Sequence, residues 1–432
     1  MLAAIAVITL YARLMTVPVQ PNVVLVVGCT LRKDQLSPYG APEVVTPFLS
    51  QMARKGVSFD DAWAAAPWTR MASTALFAGT HARAVGMVEP GPSSNRRRLS
   101  DQVNTLAERF QAAGWDTWGV TANPNLNAVF GFQQGYDRWL ESSALWRGES
   151  GAKVPGTRVV QTTLDGLTQR ISAKPLFLSL VLVDAHEPVH AHPEERAELG
   201  PDAVPAAVVD YRAGARRFDT AVSELWQGLE GLGFTAENTV FSVVSDHGQG
   251  LSWPPHHGVG HGALLFSSSV AMPWLLWGPG VHARRIGGIA SQIDVAPTLL
   301  GLAGIGAGDL PGRDWAELLR SHASRTDLDV AWVDTDFQQA DRSASYTELV
   351  NCHEDFDRSP EKENRRILPQ QMCFARADVD QENPGMNDLL LGRLREWRAE
   401  QEAAYRAFPD VGDGIPSRAE RLMLMELGYE DY

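Results

Sequence analysis

Several stretches of this 432-residue chain carry side chains that could do chemistry, and each stands where an apolar run stops. Gly28, Cys29 and Thr30 follow a β-branched run over residues 22–27. Asp184, Ala185 and His186 follow a second run over 176–183, and Ser245, Asp246, His247 and Gly248 a third over 239–244. His256, His257 and His261 come shortly afterwards. A thiol, a carboxylate and an imidazole are the donors that Zn²⁺ takes in a tetrahedron, which makes Cys29, Asp246 and His247 candidate ligands of such an ion. The alternative for Cys29 is a small buried hydrophobe. For any single histidine of the later group it is a loop side chain beside water.

The elements that must position these groups follow from periodicity. The run at 22–27 is apolar without alternation, as in a strand of a parallel sheet buried on both faces. Residues 117–121, 176–183 and 239–244 read as further strands, and 273–277 as another candidate. Thr105 and Glu108 form a capping-box start; Leu106, Phe110 and Ala113 make the apolar stripe behind it, and Gly114 supplies the stop. Tyr211, Ala215, Phe218, Val222, Leu225, Leu229 and Leu232 recur at alternating four- and three-residue spacing, which predicts one helix with all of them on one face. Such alternation argues an α/β sheet with helices on both faces and a ligand crevice at the carboxyl ends of its strands. The final hundred residues are more polar. A helix is expected over 388–408 with Leu390, Leu394 and Trp397 on one face, and another from Ser417 to Gly428. The expected organisation is an N-terminal segment 1–20, a main α/β domain 21–325, and a C-terminal subdomain 326–432 packed on the main sheet.

Composition removes some functions. Hydrophobic residues make up 44% of the chain and charged residues 21%, enough for a large core and unlike a disordered segment. The formal net charge of −14 argues against a nucleic-acid partner, because phosphates would be repelled without a compensating basic stripe. The dense basic run Arg96, Arg97 and Arg98 reads as a short solvated loop. Residues 2–12 are apolar until Arg13 interrupts them, too short a run to span a bilayer, which needs about 20 residues. They fit a truncated signal or membrane anchor, and equally a strand or helix lying against the domain. The expectation is a periplasmic, extracellular or membrane-anchored protein, with membrane association through this segment and a cytoplasmic location left open. Cys352 and Cys373 fall in one stretch that could pair, leaving Cys29 alone.

The order and wording of the segments resemble a bacterial-type sulfatase of the alkaline phosphatase superfamily along nearly the whole chain. Pro21, Asn22 and Val23 through Thr30, Leu31, Arg32, Lys33 and Asp34 resemble its opening strand and loop, often written P-N-V-L-L-I-V-x-D-T-L-R-x-D. Thr46, Pro47, Phe48 and Leu49, then Gly56, Val57, Ser58 and Phe59, resemble the next helix and turn. Ala66, Pro67, Trp68 and Thr69 resemble the nucleophile loop, and Asp184 to Pro188 the D-P-H-x-P segment. Ser245 to Gly248 match S-D-H-G. Asp294 to Leu300, Leu310 to Arg313 and Glu426 to Tyr429 resemble later family segments.

The resemblance implies an alkaline-phosphatase-like α/β sandwich: a central, mostly parallel sheet flanked by helices, with a smaller C-terminal α+β subdomain. It implies hydrolysis of sulfate, phosphate or phosphonate esters by a metal-activated nucleophile. Thr69 takes the nucleophile position. Threonine cannot yield formylglycine, and the modification motif is further broken by Met71 and Ser73. A hydroxyl remains a competent nucleophile when activated, and the alternative is that Thr69 caps the following helix. His186 takes the place of a histidine that contacts the ester, and His261 that of a second basic group. The family's basic residue after the nucleophile helix aligns with Val85; Arg70 and Arg83 are the available substitutes for anion binding.

The departure at the metal is larger. The family's Asp or Asp-Asp pair aligns with Cys29 and Thr30, and of the expected carboxylates only Asp246 remains. Ca²⁺ prefers six to eight oxygens, preferably anionic, so a tight calcium site is not expected; Zn²⁺ on Cys29, Asp246 and His247 is the softer alternative. The expected function is a sulfatase-like protein, catalytically impaired, that binds an anionic sulfated or phosphorylated ligand such as a glycan or lipid headgroup. The alternative is an active metal-dependent hydrolase using Thr69.

Overall fold

The computed structural model describes residues 20–87, 97–148, 153–199, 204–253, 256–262, 267–326, 331–335, 346–349, scattered helical positions between 393 and 404, and 414–427. The N-terminal segment, Cys352, Cys373, Leu390, Leu394, Gly428 and the side chains of Trp253, His256 and His257 lie outside the described residues.

The first strand, β1 (Asn22–Gly28), is fully buried from Val23 onward. Val23, Leu25 and Val27 join one apolar cluster, and Val24 and Val26 another on the opposite face. That is the two-sided burial its unbroken apolar run predicts, and each fully buried side chain of this kind contributes about 1.5–3 kcal/mol. The strands β2 (Val57–Trp63), β3 (Asp116–Thr121), β4 (Arg138–Leu140), β5 (Leu176–Leu182), β6 (Thr239–Ser245), β9 (Trp274–Trp277) and β10 (Arg284–Ser291) complete an eight-stranded sheet in the order β10-β2-β9-β6-β1-β5-β3-β4. All neighbours are parallel except β9, which runs antiparallel to both β2 and β6. A separate antiparallel ribbon, β7 (Gly250–Trp253) and β8 (His256–Gly260), rises from the loop after β6.

One face of the sheet is covered by α1 (Pro47–Lys55), α4 (Gly156–Thr168) and α5 (Ala206–Gly231), the other by α2 (Thr69–Ala78), α3 (Leu106–Ala112) and α6 (Val295–Leu302). The capping box opening α3 is present, with Glu108 N donating to Thr105 Oγ1 at 3.2 Å and Thr105 N to Glu108 Oε2 at 2.7 Å. Helix α5 buries Tyr211, Ala215, Phe218, Val222, Leu225 and Leu229 as its spacing requires. Leu232 departs from the expectation: it lies one residue past the last turn, as the C-cap, and is 37% exposed. Val57, Ser58 and Phe59, matched above to a turn, open the full strand β2.

The last described helix, α7 (Arg418–Glu426), starts at the expected capping box of Ser417 and Glu420. Its Leu424 joins the α2–α3 side of the core, and Asn127 Nδ2 donates to Glu420 Oε1 at 3.0 Å. Asp294, within a family-like segment, holds the chain together locally, since its carboxylate accepts from Ser291 N, Arg313 N and Trp315 Nε1.

Candidate active site

The carboxyl ends of β1, β5 and β6 lie side by side, since β1 pairs with β5 on one edge and β6 on the other. Chain geometry alone therefore brings Cys29, His186 and Asp246 together. At the end of β1, Thr30 adopts φ 55°, a left-handed conformation unusual for a β-branched residue. Such strain costs on the order of 1–3 kcal/mol and persists only where its surroundings impose it. Here Thr30 N donates to Asp246 Oδ1 at 2.9 Å, Thr30 Oγ1 to the Cys29 carbonyl at 2.7 Å, and Tyr211 Oη to the Thr30 carbonyl at 2.6 Å. Tyr211 Oη also accepts from Arg32 N at 2.6 Å, so one phenol from α5 staples both sides of the turn.

Asp246 is fully buried. Its Oδ1 is held by Thr30 N and by His247 N at 2.7 Å. Its Oδ2 is buried with no hydrogen-bond partner, 3.5 Å from His247 Nε2. Burial pushes its carboxyl up to about 6. His247 Nδ1 lies 2.8 Å from the Gly248 carbonyl, which only accepts, so this nitrogen carries the proton. Its Nε2 then turns a lone pair toward Thr69 Oγ1 at 3.3 Å. Burial holds His247 neutral, with its pKa pushed down to about 4.

Thr69 is the first residue of α2, and Trp68 is the cap. Instead of capping the helix, the Thr69 hydroxyl faces His247 and the Cys29 Sγ, the latter at 3.8 Å. Cys29 is fully buried and accepts from Asn123 Nδ2 at 3.1 Å. Burial, with the neighbouring Asp246 carboxylate, raises its thiol well above the ordinary range, so it stays protonated.

Arg70, 1% exposed, is engaged by the loop after β3: its Nη2 and Nε donate to Asn125 Oδ1 at 3.1 and 3.3 Å, and its guanidinium lies 4.1 Å from the Phe130 ring. Arg83 and Val85 are buried. His186 is fully buried; its Nδ1 lies 2.6 Å from the Glu187 carbonyl, and burial holds its pKa well below the ordinary value. His261 Nδ1 meets Gln249 Oε1 at 2.9 Å. The His261 ring lies 5.2 Å from that of His186 and 4.7 Å from that of His247. The structure thus gathers Cys29, Thr69, His186, Asp246, His247 and His261, and places the Arg70 guanidinium on Asn125 and Phe130.

Three further residues were not picked out from the sequence. Asn123, Asn125 and Asn127 alternate in the loop after β3; the first donates to Cys29, the second accepts from Arg70, and the third joins α7. A polar loop at the carboxyl end of a buried strand was the available signal. Lys153 and Gln249 had none.

The donors do not fit a hard divalent cation. Such ions want several anionic oxygens, and this cleft offers one carboxylate, a thiol held protonated and an imidazole facing a hydroxyl. The expected Cys29, Asp246 and His247 share one cluster, but among the described residues no group of three or more His, Cys, Asp or Glu side chains is placed to hold a metal ion. The unpartnered, buried Asp246 Oδ2 is, among the described residues, the one carboxylate oxygen of the cluster still open to a cation.

Comparison with known proteins bears on the whole arrangement. The chain is 24% identical over 343 residues to an ulvan-active sulfatase of Formosa agariphila, covering 70% of this chain and 66% of that protein. Among solved structures it resembles a protein captured with its substrate D-glucosamine-2-N,6-O-disulfate (TM-score 0.60, 15% identity, 76% of this chain and 86% of the other). It also resembles the phosphonate monoester hydrolase of Agrobacterium radiobacter (TM-score 0.59, 18% identity, 75% and 82%). These likenesses confirm the alkaline-phosphatase-like fold. The sulfatase family model matches residues 21–305, more than half of the chain. The chain belongs to the sulfatase family.

Proposed function

We propose that this protein is a sulfatase-family member whose cleft binds the anionic group of a sulfated or phosphorylated ligand without metal-assisted cleavage of the ester. The observation that carries this reading is Cys29: a buried, protonated thiol, hydrogen-bonded by Asn123, stands at the end of β1 opposite Asp246. A neutral thiol there leaves one carboxylate to face any cation. Binding chemistry survives that change. His186 and His261 come from the ends of β5 and β8 with their rings 5.2 Å apart, and a tetrahedral oxyanion bound against them would favour the imidazolium form that burial otherwise disfavours at His186. The relatives named above include an ulvan-active sulfatase and a protein bound to a disulfated glucosamine, which favours a sulfated sugar as the carrier.

A second reading is favoured by one contact. Thr69 Oγ1 lies 3.3 Å from His247 Nε2, close to the reach of a nucleophile and its base. In that reading His247 takes the hydroxyl proton as Thr69 attacks sulfur or phosphorus, the ester S–O or P–O bond breaks, the departing alkoxide takes a proton from water, and water then hydrolyses the Thr69 ester to return the free hydroxyl. Two assays separate the readings: calorimetric titration with sulfate, phosphate and a disulfated glucosamine, and turnover of p-nitrophenyl sulfate, phosphate and phenylphosphonate with Ca²⁺, Mg²⁺, Mn²⁺ or Zn²⁺ added. Binding without turnover is the expected result. Turnover that disappears in Thr69→Ala overturns the proposal in favour of the hydrolase.

A further inference from the structure

Lys153 lies in the loop leading into α4, outside every segment matched to the family above. It is half-buried, and one of its three N–H groups donates to the Pro188 carbonyl at 2.7 Å. Among the described residues no carboxylate stands at ion-pair distance from it, and no further hydrogen bond engages it. Yet it is close enough for its charge to act on Asp184, Glu187, Cys29 and Arg217, and to be felt by His186. Asp184 is anchored by one oxygen: its Oδ1 accepts from Gly156 N at 3.0 Å, at the start of α4, and its Oδ2 is buried without a hydrogen bond. Any Cβ at Gly156 would meet Asp184 Oδ2 at 2.3 Å, which fixes the close approach of this loop to the end of β5. Arg32 is committed to Asp34 through two hydrogen bonds of 2.9 and 2.6 Å, and Arg70 to Asn125. Lys153 is thus an ammonium beside the cleft with donors still to give.

We infer that Lys153 supplies the positive charge that receives the ligand's sulfuryl or phosphoryl group next to His186, taking the part that Val85 cannot. This rests on the anion-binding reading above. A half-buried ammonium with two further N–H groups and, among the described residues, no carboxylate at ion-pair distance gains more from an oxyanion than a solvated one does, because little water competes for the donors. Burial also pulls the Lys153 pKa down to about 8, so bound anion restores protonation that the bare site resists. Asp184 and Glu187 pull in the opposite direction, and Arg217 with burial.

The test is calorimetric titration of the full chain with sodium sulfate and with sodium phosphate at constant ionic strength, for wild type, Lys153→Met, Lys153→Gln and Lys153→Arg. Loss of one charge-assisted contact predicts about tenfold weaker binding in the Met and Gln variants, with Arg retaining most of it. Wild-type affinity falls as pH rises from 7 to 9, and Lys153→Arg flattens that fall. Sulfate preferred over phosphate points to a sulfated ligand, the reverse to a phosphorylated one. Wild-type binding that persists within twofold in both neutral variants, with the fold intact by circular dichroism, overturns the role of Lys153 alone. No binding of either anion by wild type overturns the anion-binding reading itself.

Discussion

The centre and the rim of this cleft are built in opposite ways. At the centre, where β1 and β6 end, the polar groups are tied to one another, Asp246 Oδ2 excepted: Thr30 to Asp246, Asp246 to His247, His247 to Gly248 and Thr69, and Cys29 to Asn123. At the rim, where β5 ends and α4 begins, Lys153 has a single neutral carbonyl partner and Asp184 Oδ2 is buried without a hydrogen bond. The centre keeps a strained and costly geometry while its chemistry has changed to a neutral thiol. Among the described residues, the rim's Lys153 has no carboxylate at ion-pair distance, although Asp184 and Glu187 lie close enough to act on it. This contrast is what the anion-binding reading proposed above rests on, and the hydrolase reading requires the tied centre to activate Thr69.

The largest effect expected from disturbing the centre comes from Asp246→Ala, which leaves two buried backbone N–H groups without an acceptor. It should lower stability by about 2–4 kcal/mol in urea denaturation, whereas Asp246→Asn, which keeps the acceptor oxygen, should cost far less. Equal losses would mean that charge rather than the tie to Thr30 and His247 matters. The next effect is on pH dependence. A histidine held neutral in the fold binds fewer protons than it does when unfolded, so its contribution is intact above its unfolded pKa near 6.5 and is lost as pH falls toward about 4. Comparison of wild type with His247→Asn should therefore show a gap that closes by on the order of 2–3 kcal/mol across that interval. Asp246 runs the other way, since its raised carboxyl favours the fold at lower pH, but that contribution is common to both proteins.

Smaller effects sharpen the contrast. Glu420→Ala removes both the bond from Asn127 to α7 and the side-chain half of the capping box that starts it, and should lower stability by about 1–2 kcal/mol. If it also weakens sulfate binding, the asparagine loop connects α7 to the cleft; unchanged binding confines the effect to packing. Cys29 should resist a thiol reagent in the native protein and react at the rate of global unfolding, because it is fully buried and protonated. Rapid native-state labelling would contradict the locked centre.

Much of this was legible in the residues. Unbroken apolar runs revealed β1, β5 and β6, and the positions at their ends converge because parallel strands place their carboxyl ends on one edge of the sheet. Two capping boxes marked helix starts to the residue. The reversed direction of β9 was not legible, since an apolar strand reads the same whichever way its neighbours run. Arg70 looked available because it adjoins Thr69 in sequence, but successive helix residues point about 100° apart, and its partner Asn125 is 55 residues away. Asn123 lies 94 residues from Cys29. Lys153 sits between segments without periodicity, where only the folded chain says which charges are left unanswered.

Whether the cleft works without a metal is decided by elemental analysis for Ca, Zn, Mg and Mn on the purified protein after incubation with each ion, with Asp246→Ala alongside. Well under one metal per chain is expected in both proteins. A near-stoichiometric metal in the wild type that disappears in Asp246→Ala would contradict the anion-binding reading and restore the cleft as a working hydrolase centre.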